Sequence, residues 1–186
     1  MVQDKNRIVE NALLLAVKYH NGQNRKDGQP YIIHPIMVAV MLIRYGFKDE
    51  VVAGGICHDL LEDTKCSEKE IAEACGQDVL EIVKAVSDDK KYQIPHLWEE
   101  RKRIQIEKAR EASDEVKAVY LADKIHNLQS LLAQYKKEGD EVWKHFDRGK
   151  DIKIAFEQRI LEMLKETWNH PLIKEYEKLV KEFELL

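Results

Sequence analysis

The chain has 186 residues, 44% of them hydrophobic, which is enough to bury one core without disulfides or a partner. Acidic residues outnumber lysine plus arginine by 34 to 30, so no global positive field exists to attract nucleic acid. Cys57, Cys66 and Cys75 fit neither a disulfide framework nor a CxxC pair, and no apolar run is typical of a signal peptide or membrane span. We therefore expect a cytoplasmic protein that binds neither nucleic acid nor membranes.

Apolar residues recur at steps of three and four, which predicts an all-α fold. In chain order, we expect helices over residues 4–20, 35–44, 49–63, 67–75, 78–86, 97–111, 114–138, 151–168 and 172–185. Ser67-x-x-Glu70 is a capping box, and Gly139 ends the long helix. Pro35 suits a first helical turn, which places His34 at the entrance of the second helix.

The segment HDLLED, residues 58–63, concentrates ionisable side chains at the end of an apolar run. On one continuous helix Glu62 follows His58 by four residues and Asp63 follows Asp59 by four, so like charges crowd one surface. A divalent cation would turn that repulsion into attraction, because carboxylates and imidazole together suit Mn, Fe, Co or Zn. A solvated acidic helix end is the alternative interpretation of the segment alone.

A second candidate is Asp123, the acidic residue that interrupts the apolar stretch AVYLADKIHNLQSLL. It could instead pair with Lys124 or a nearby cap. Asn127 lies one turn further on the same face, where an amide can orient water or phosphate. His126 is expected to project elsewhere with a structural role.

Two basic segments are candidate contacts for an anion. Arg25 and Lys26 lie in a loop shortly before His34, a combination that is typical of phosphate contacts. The helix ERKRIQIEKAR is expected to be a solvated face with internal ion pairs that lends one cation to phosphate at most.

In order, RKDGQPYIIHP, HDLLEDT, SDDK, ERKRIQ and LADKIHN resemble the hydrolase domain of RelA/SpoT alarmone enzymes and its stand-alone forms, over residues 8–135. The resemblance implies an HD-domain helical bundle that removes the 3′-pyrophosphate from ppGpp or pppGpp with one Mn²⁺ ion. For the metal it implies the ligands His34, His58, Asp59 and Asp123. For catalysis it implies Glu62, Asp63 and Asn127, and for the nucleotide Arg25, Lys26 and Asn127.

After Gly139 the likeness fades, and Ile154, Ala155 and Phe156 stand where tyrosines are expected. We expect an HD phosphohydrolase domain over 1–139 and a helical extension over 140–186 packed on the same unit. We expect a hydrolase-only protein, without the synthetase and regulatory domains of the long RelA/SpoT proteins.

The expected reaction is attack of water, activated by the cation, on phosphorus, with Glu62 or Asp63 accepting the proton. Residue spacing does not rank these two carboxylates. One alternative is an HD phosphatase that acts on NADPH or another phosphorylated nucleotide. A second is a sensor that binds a nucleotide without turnover, although such a protein has no need of a water-activating carboxylate.

Overall fold

The computed structural model describes residues 7–25, 27–88, 94, 97–145 and 148–186. Within these ranges the regular structure is helical, and the β contact is an isolated bridge between Asn24 and Pro30. The helices are α1 (Ile8–Tyr19), α2 (Ile33–Arg44), α3 (Asp49–Cys57), α4 (Leu60–Asp63), α5 (Glu68–Cys75), α6 (Gln77–Val86), α7 (Trp98–Glu111), α8 (Asp114–Glu138), α9 (Gly149–Thr167) and α10 (Leu172–Glu184). A 3₁₀ segment, Gly139–His145, follows α8. The all-α prediction is confirmed.

Local signals place several helix ends where the sequence indicates them. The Ser67 hydroxyl accepts from Glu70 N–H, and the Glu70 carboxylate accepts from Ser67 N–H, so the capping box forms. At the end of α8, Gly139 has φ 59°, a left-handed conformation that favours glycine. Helix α2 begins at Ile33, so His34 lies in its first turn, as predicted.

The single helix predicted over 49–63 is wrong, because it is broken at His58 and Asp59 into α3 and α4. The His58 ring Nδ1 lies 2.7 Å from the Gly55 carbonyl oxygen. In a continuous helix that carbonyl would accept from Asp59 N–H. The imidazole therefore competes for a helical hydrogen bond, and the chain turns at the two residues that carry the HD pair.

Two glycines allow α3 to approach its neighbours closely. A Cβ atom at Gly54 would lie 2.7 Å from Ile82 Cγ2 on α6, and one at Gly55 would lie 2.5 Å from Leu42 Cδ1 on α2. Both distances are shorter than packed atoms adopt, so a side chain at either position would push the helices apart. The glycine pair thereby fixes α3 and the following His58 against α2.

Helix α8 occupies the centre of the bundle and packs against α2, α3, α6, α7 and α10. Helices α9 and α10 pack on each other, α10 also contacts α8, and α9 contacts α7.

The division into a domain over 1–139 and an extension over 140–186 stays a prediction. Among the described residues no helix has the length and hydropathy needed to cross a membrane, and the cytoplasmic location also stays a prediction.

Candidate metal centre and catalytic pocket

Four side chains from three parts of the fold converge on one point. His34 Nε2, from α2, lies 3.2 Å from His58 Nε2 at the α3–α4 break and 3.1 Å from Asp123 Oδ1 on α8. Asp59 Oδ2 lies 3.1 Å from His58 Nε2 and 3.5 Å from His34 Nε2. The structure thus brings together all four residues that the sequence predicts as metal ligands.

Hydrogen bonds behind the two histidines aim their Nε2 atoms at this point. Besides the contact of His58 Nδ1 with Gly55 O, His34 Nδ1 lies 2.7 Å from His126 Nδ1. Burial lowers the pKa of His126 to about 4, so its neutral ring can accept the hydrogen of His34 Nδ1. His34 Nε2 then carries the free lone pair that a metal ligand needs. The expectation that His126 projects elsewhere is wrong, because it supports His34 directly.

The donor set fits a divalent ion. Burial would raise the pKa of Asp123, but Lys124 and the two histidines outweigh it and hold that pKa well below its usual range. Burial lowers the pKa of His34, which favours its neutral form. Burial would also lower the pKa of His58, but Asp59 and Asp123 outweigh it and raise that pKa well above its usual value, so a bound cation would displace the His58 proton. Two imidazole nitrogens and two ionised carboxylates suit Mn, Fe, Co or Zn, and cation charge would offset the repulsion between Asp59 and Asp123.

Of the two carboxylates predicted to be catalytic, Glu62 is the one that faces the cavity. It lines the cavity beside His58 and Asp59, and its Oε1 accepts a hydrogen bond of 2.7 Å from Asp88 N–H. Burial, followed by the charges of Asp88 and Asp59, raises the pKa of Glu62 to about 7. A carboxylate with this pKa is well matched to accept a proton near neutral pH.

Asp63 has a different environment. It is exposed and lies outside the cavity lining, and its Oδ2 accepts a hydrogen bond of 2.7 Å from Tyr31 O–H. The same hydroxyl lies 2.6 Å from Asp59 Oδ2, so Tyr31 connects Asp63 to a predicted metal ligand. Tyr31 stacks on His20 with 4.7 Å between ring centroids. The sequence analysis did not single out Tyr31, although it lies three residues before His34, just before the start of the same helix.

Asn127 and Arg25 form a chain of hydrogen bonds that begins at the metal centre. The Asn127 amide donates to Asp123 Oδ1, and Arg25 Nη2 donates to Asn127 Oδ1 over 2.7 Å. Both residues line the cavity. The predicted nucleotide contact Lys26 lies outside the described residues. Arg25 therefore reaches the centre through Asn127, which holds its guanidinium at the cavity wall.

The cavity has a volume of about 450 Å³, within the range of small-molecule sites. Part of its wall was not predicted and consists of Lys102, Lys124, Lys153 and Phe156. Lys102 belongs to the helix that was expected to be a solvated face, and Phe156 belongs to the segment where tyrosines were expected. The cavity thus combines a carboxylate-rich metal centre with several cations, which is suited to a phosphorylated ligand.

Comparisons with known proteins identify the family of the chain. A family model described as HD domain matches residues 12–167. The chain is 42% identical to the guanosine-3′,5′-bis(diphosphate) 3′-pyrophosphohydrolase MESH1 of Xenopus tropicalis, over 70% of this chain and 73% of that protein. It is 43% identical to human MESH1 over 62% of this chain and 65% of that protein, slightly less than two thirds of the human protein's length.

Two solved structures also resemble this chain. The crystal structure of lmo0812 from Listeria monocytogenes EGD-e superposes with a TM-score of 0.73 at 36% identity, over 81% of this chain and 99% of that one. A metazoan ortholog of SpoT, described as hydrolysing ppGpp, superposes with a TM-score of 0.78 at 26% identity, over 96% of this chain and 97% of that one. The chain therefore belongs to the HD-domain family, together with the MESH1 pyrophosphohydrolases.

Proposed function

We propose that this protein hydrolyses the 3′-pyrophosphate of guanosine alarmones, giving GDP or GTP and pyrophosphate, with Mn²⁺ as its metal ion. The carrying observation is the position of Glu62, a carboxylate with a pKa of about 7 in the same cavity as the His34, His58, Asp59 and Asp123 cluster. The MESH1 relatives named for this reaction support the choice of substrate.

The four clustered residues would hold the ion. When bound, a divalent ion there would lower the pKa of water and neutralise charge on the phosphoryl oxygens. His34 and His58 present Nε2 to this position, and Asp59 and Asp123 present carboxylate oxygens to it. His126 and Gly55 support the imidazoles from behind.

Glu62 accepts the proton of the attacking water at its carboxylate. The water oxygen forms a bond to the phosphorus next to the ribose, and the bond from that phosphorus to the ribose 3′ oxygen breaks. The 3′ oxygen takes up the proton that Glu62 removed from the water, and pyrophosphate is released. Asn127 orients the phosphoryl group beside Asp123, and the Arg25 guanidinium offers a planar cation to the nucleotide. Asp63 acts indirectly, because it accepts a hydrogen bond from the Tyr31 hydroxyl that also contacts Asp59.

A nucleotide panel tests the proposal. Purified protein with Mn²⁺ is given ppGpp, GDP and NADPH, and released pyrophosphate and orthophosphate are measured separately. We expect pyrophosphate from ppGpp at the highest kcat/KM, with no such release by the metal-ligand variant His58→Ala. A higher kcat/KM for orthophosphate release from NADPH would replace the proposal by the nucleotide phosphatase. Binding of ppGpp without any turnover would replace it by the sensor.

A further inference from the structure

Three lysines from three different helices line the cavity beside the metal centre: Lys102 on α7, Lys124 on α8 and Lys153 on α9. Two of them have carboxylate partners. Lys124 Nζ lies 2.9 Å from Asp123 Oδ2, and Lys153 forms an ion pair with the buried Glu157. Glu157 also accepts from Tyr176 O–H on α10, so the C-terminal helices hold Lys153 in place.

Lys102 differs from the other two lysines. Its Nζ donates to the neutral Gln105 Oε1 over 2.8 Å and lies 4.9 Å from the centroid of the Phe156 ring. Within the described part of the chain, no carboxylate forms an ion pair with it. Burial, then the charges of Lys124 and Lys153, lowers the pKa of Lys102 to about 7. A half-buried cation among other cations is stabilised by an anion, and the cavity is where an anion can reach it.

The charge of a diphosphate ester matches this arrangement. Such a group carries up to three negative charges, and a divalent ion balances only two of them. The contact of Lys124 with Asp123 joins the lysines to the metal centre, so an anion on the lysines would adjoin a phosphoryl group at the ion. The two phosphoryl groups of a diphosphate share one bridging oxygen. One of them can therefore lie at the ion while the other contacts the lysines.

We propose that Lys102, flanked by Lys124 and Lys153, forms a subsite for the distal phosphoryl group of the scissile diphosphate. The inference rests on the proposed function and adds to it a structural reason for choosing a diphosphate over a monophosphate ester. Removing the Lys102 charge then weakens binding of pyrophosphate, which stands in for the scissile diphosphate, and leaves binding of a single phosphate and of the 5′-diphosphate of GDP unchanged.

Isothermal titration calorimetry on the Mn²⁺-loaded protein tests this, with the same Mn²⁺ concentration in both solutions. The probes are inorganic pyrophosphate, orthophosphate and GDP. In Lys102→Met we expect the Kd for pyrophosphate to rise about tenfold or more, because one charge-assisted hydrogen bond is lost. The Kd values for orthophosphate and GDP should stay unchanged. Lys108→Met, which removes an exposed cation of the same helix, is the matched control and should change none of the three.

Three results would overturn the subsite. They are an unchanged pyrophosphate Kd, an equal loss for orthophosphate and pyrophosphate, and a loss confined to GDP, which would assign the lysines to the 5′-diphosphate. Circular dichroism confirms that each variant is folded, and Lys102→Gln serves if Lys102→Met is not. Because binding needs no turnover, a failure to hydrolyse ppGpp would remove the proposed function while this result stands.

Discussion

Replacing Glu62 by glutamine should lower activity and raise stability at the same time. The substitution keeps an oxygen that can accept the hydrogen bond of Asp88 N–H but removes the negative charge from a partly buried position near Asp59 and Asp88. Without a proton acceptor, kcat should fall by ~10²–10⁴-fold. Without the charge, the folded state loses an unfavourable desolvation and repulsion.

The size and pH range of the stability effect follow from the pKa of Glu62, which rises from 4.5 to about 7 on folding. A raised carboxyl pKa means that the folded state holds the proton more strongly, so this favourable contribution is complete below 4.5 and is lost as pH rises through 7. The full shift corresponds to about 3 kcal/mol, which partial solvent exposure of Glu62 reduces to about 1–2 kcal/mol. Glu62→Gln should therefore gain about 1–2 kcal/mol at pH 8 and nothing at pH 4.

Urea unfolding of EDTA-treated wild type and variant at pH 4 and pH 8 measures this difference, and steady-state kinetics with Mn²⁺ measures kcat. Asp63→Asn is the comparison, since Asp63 is exposed and lies outside the cavity lining. A Glu62→Gln protein that is less stable than wild type at pH 8, or that turns over normally, would refute the assignment of Glu62 as the buried proton acceptor.

Three further predictions concern the metal centre and the nucleotide. His58→Ala and Asp123→Ala should each lose metal by elemental analysis, and addition of Mn²⁺ should then raise their Tm less than that of wild type, because an ion that binds only the folded state stabilises it. Tyr31→Phe removes a hydroxyl from Asp59 and should weaken Mn²⁺ binding by ~10-fold or more in a metal titration, while unchanged affinity would argue against a positioning role. Arg25→Ala should raise KM for ppGpp more than it lowers kcat, and the opposite split would assign Arg25 to the transition state.

The helices and the residues of the His–Asp cluster could be singled out from the sequence because their signals are local. Periodicity, the capping box and glycine at residue 139 describe short stretches of chain, and the observed helices follow them except at the break between α3 and α4. His34, His58, Asp59 and Asp123 stood out because each interrupts or borders an apolar stretch. Their convergence could be expected only from the resemblance to a known family, since no spacing in one sequence fixes the distance between α2 and α8.

Other parts of the site depend on contacts between distant segments. His126 meets His34 from 92 residues away, and Lys102 faces the cavity only because α7 packs against α9. A basic helix shows no apolar stripe that would identify its buried side, so the sequence favoured a solvated face for ERKRIQ. The ranking of Glu62 over Asp63 likewise required the position of the cavity.

The break between α3 and α4 explains how adjacent residues can share one ion. In a continuous helix, neighbouring side chains diverge by about 100°, so His58 and Asp59 would point to different surfaces. At the break Asp59 has ψ −5°, and its Oδ2 comes within 3.1 Å of His58 Nε2. The same change in direction puts Glu62 in the cavity and Asp63 against Tyr31. The imidazole that disturbs the helix by contacting Gly55 thus also separates the crowded carboxylates. Asp59 lies beside the histidines, Glu62 lines the cavity and Asp63 lies against Tyr31.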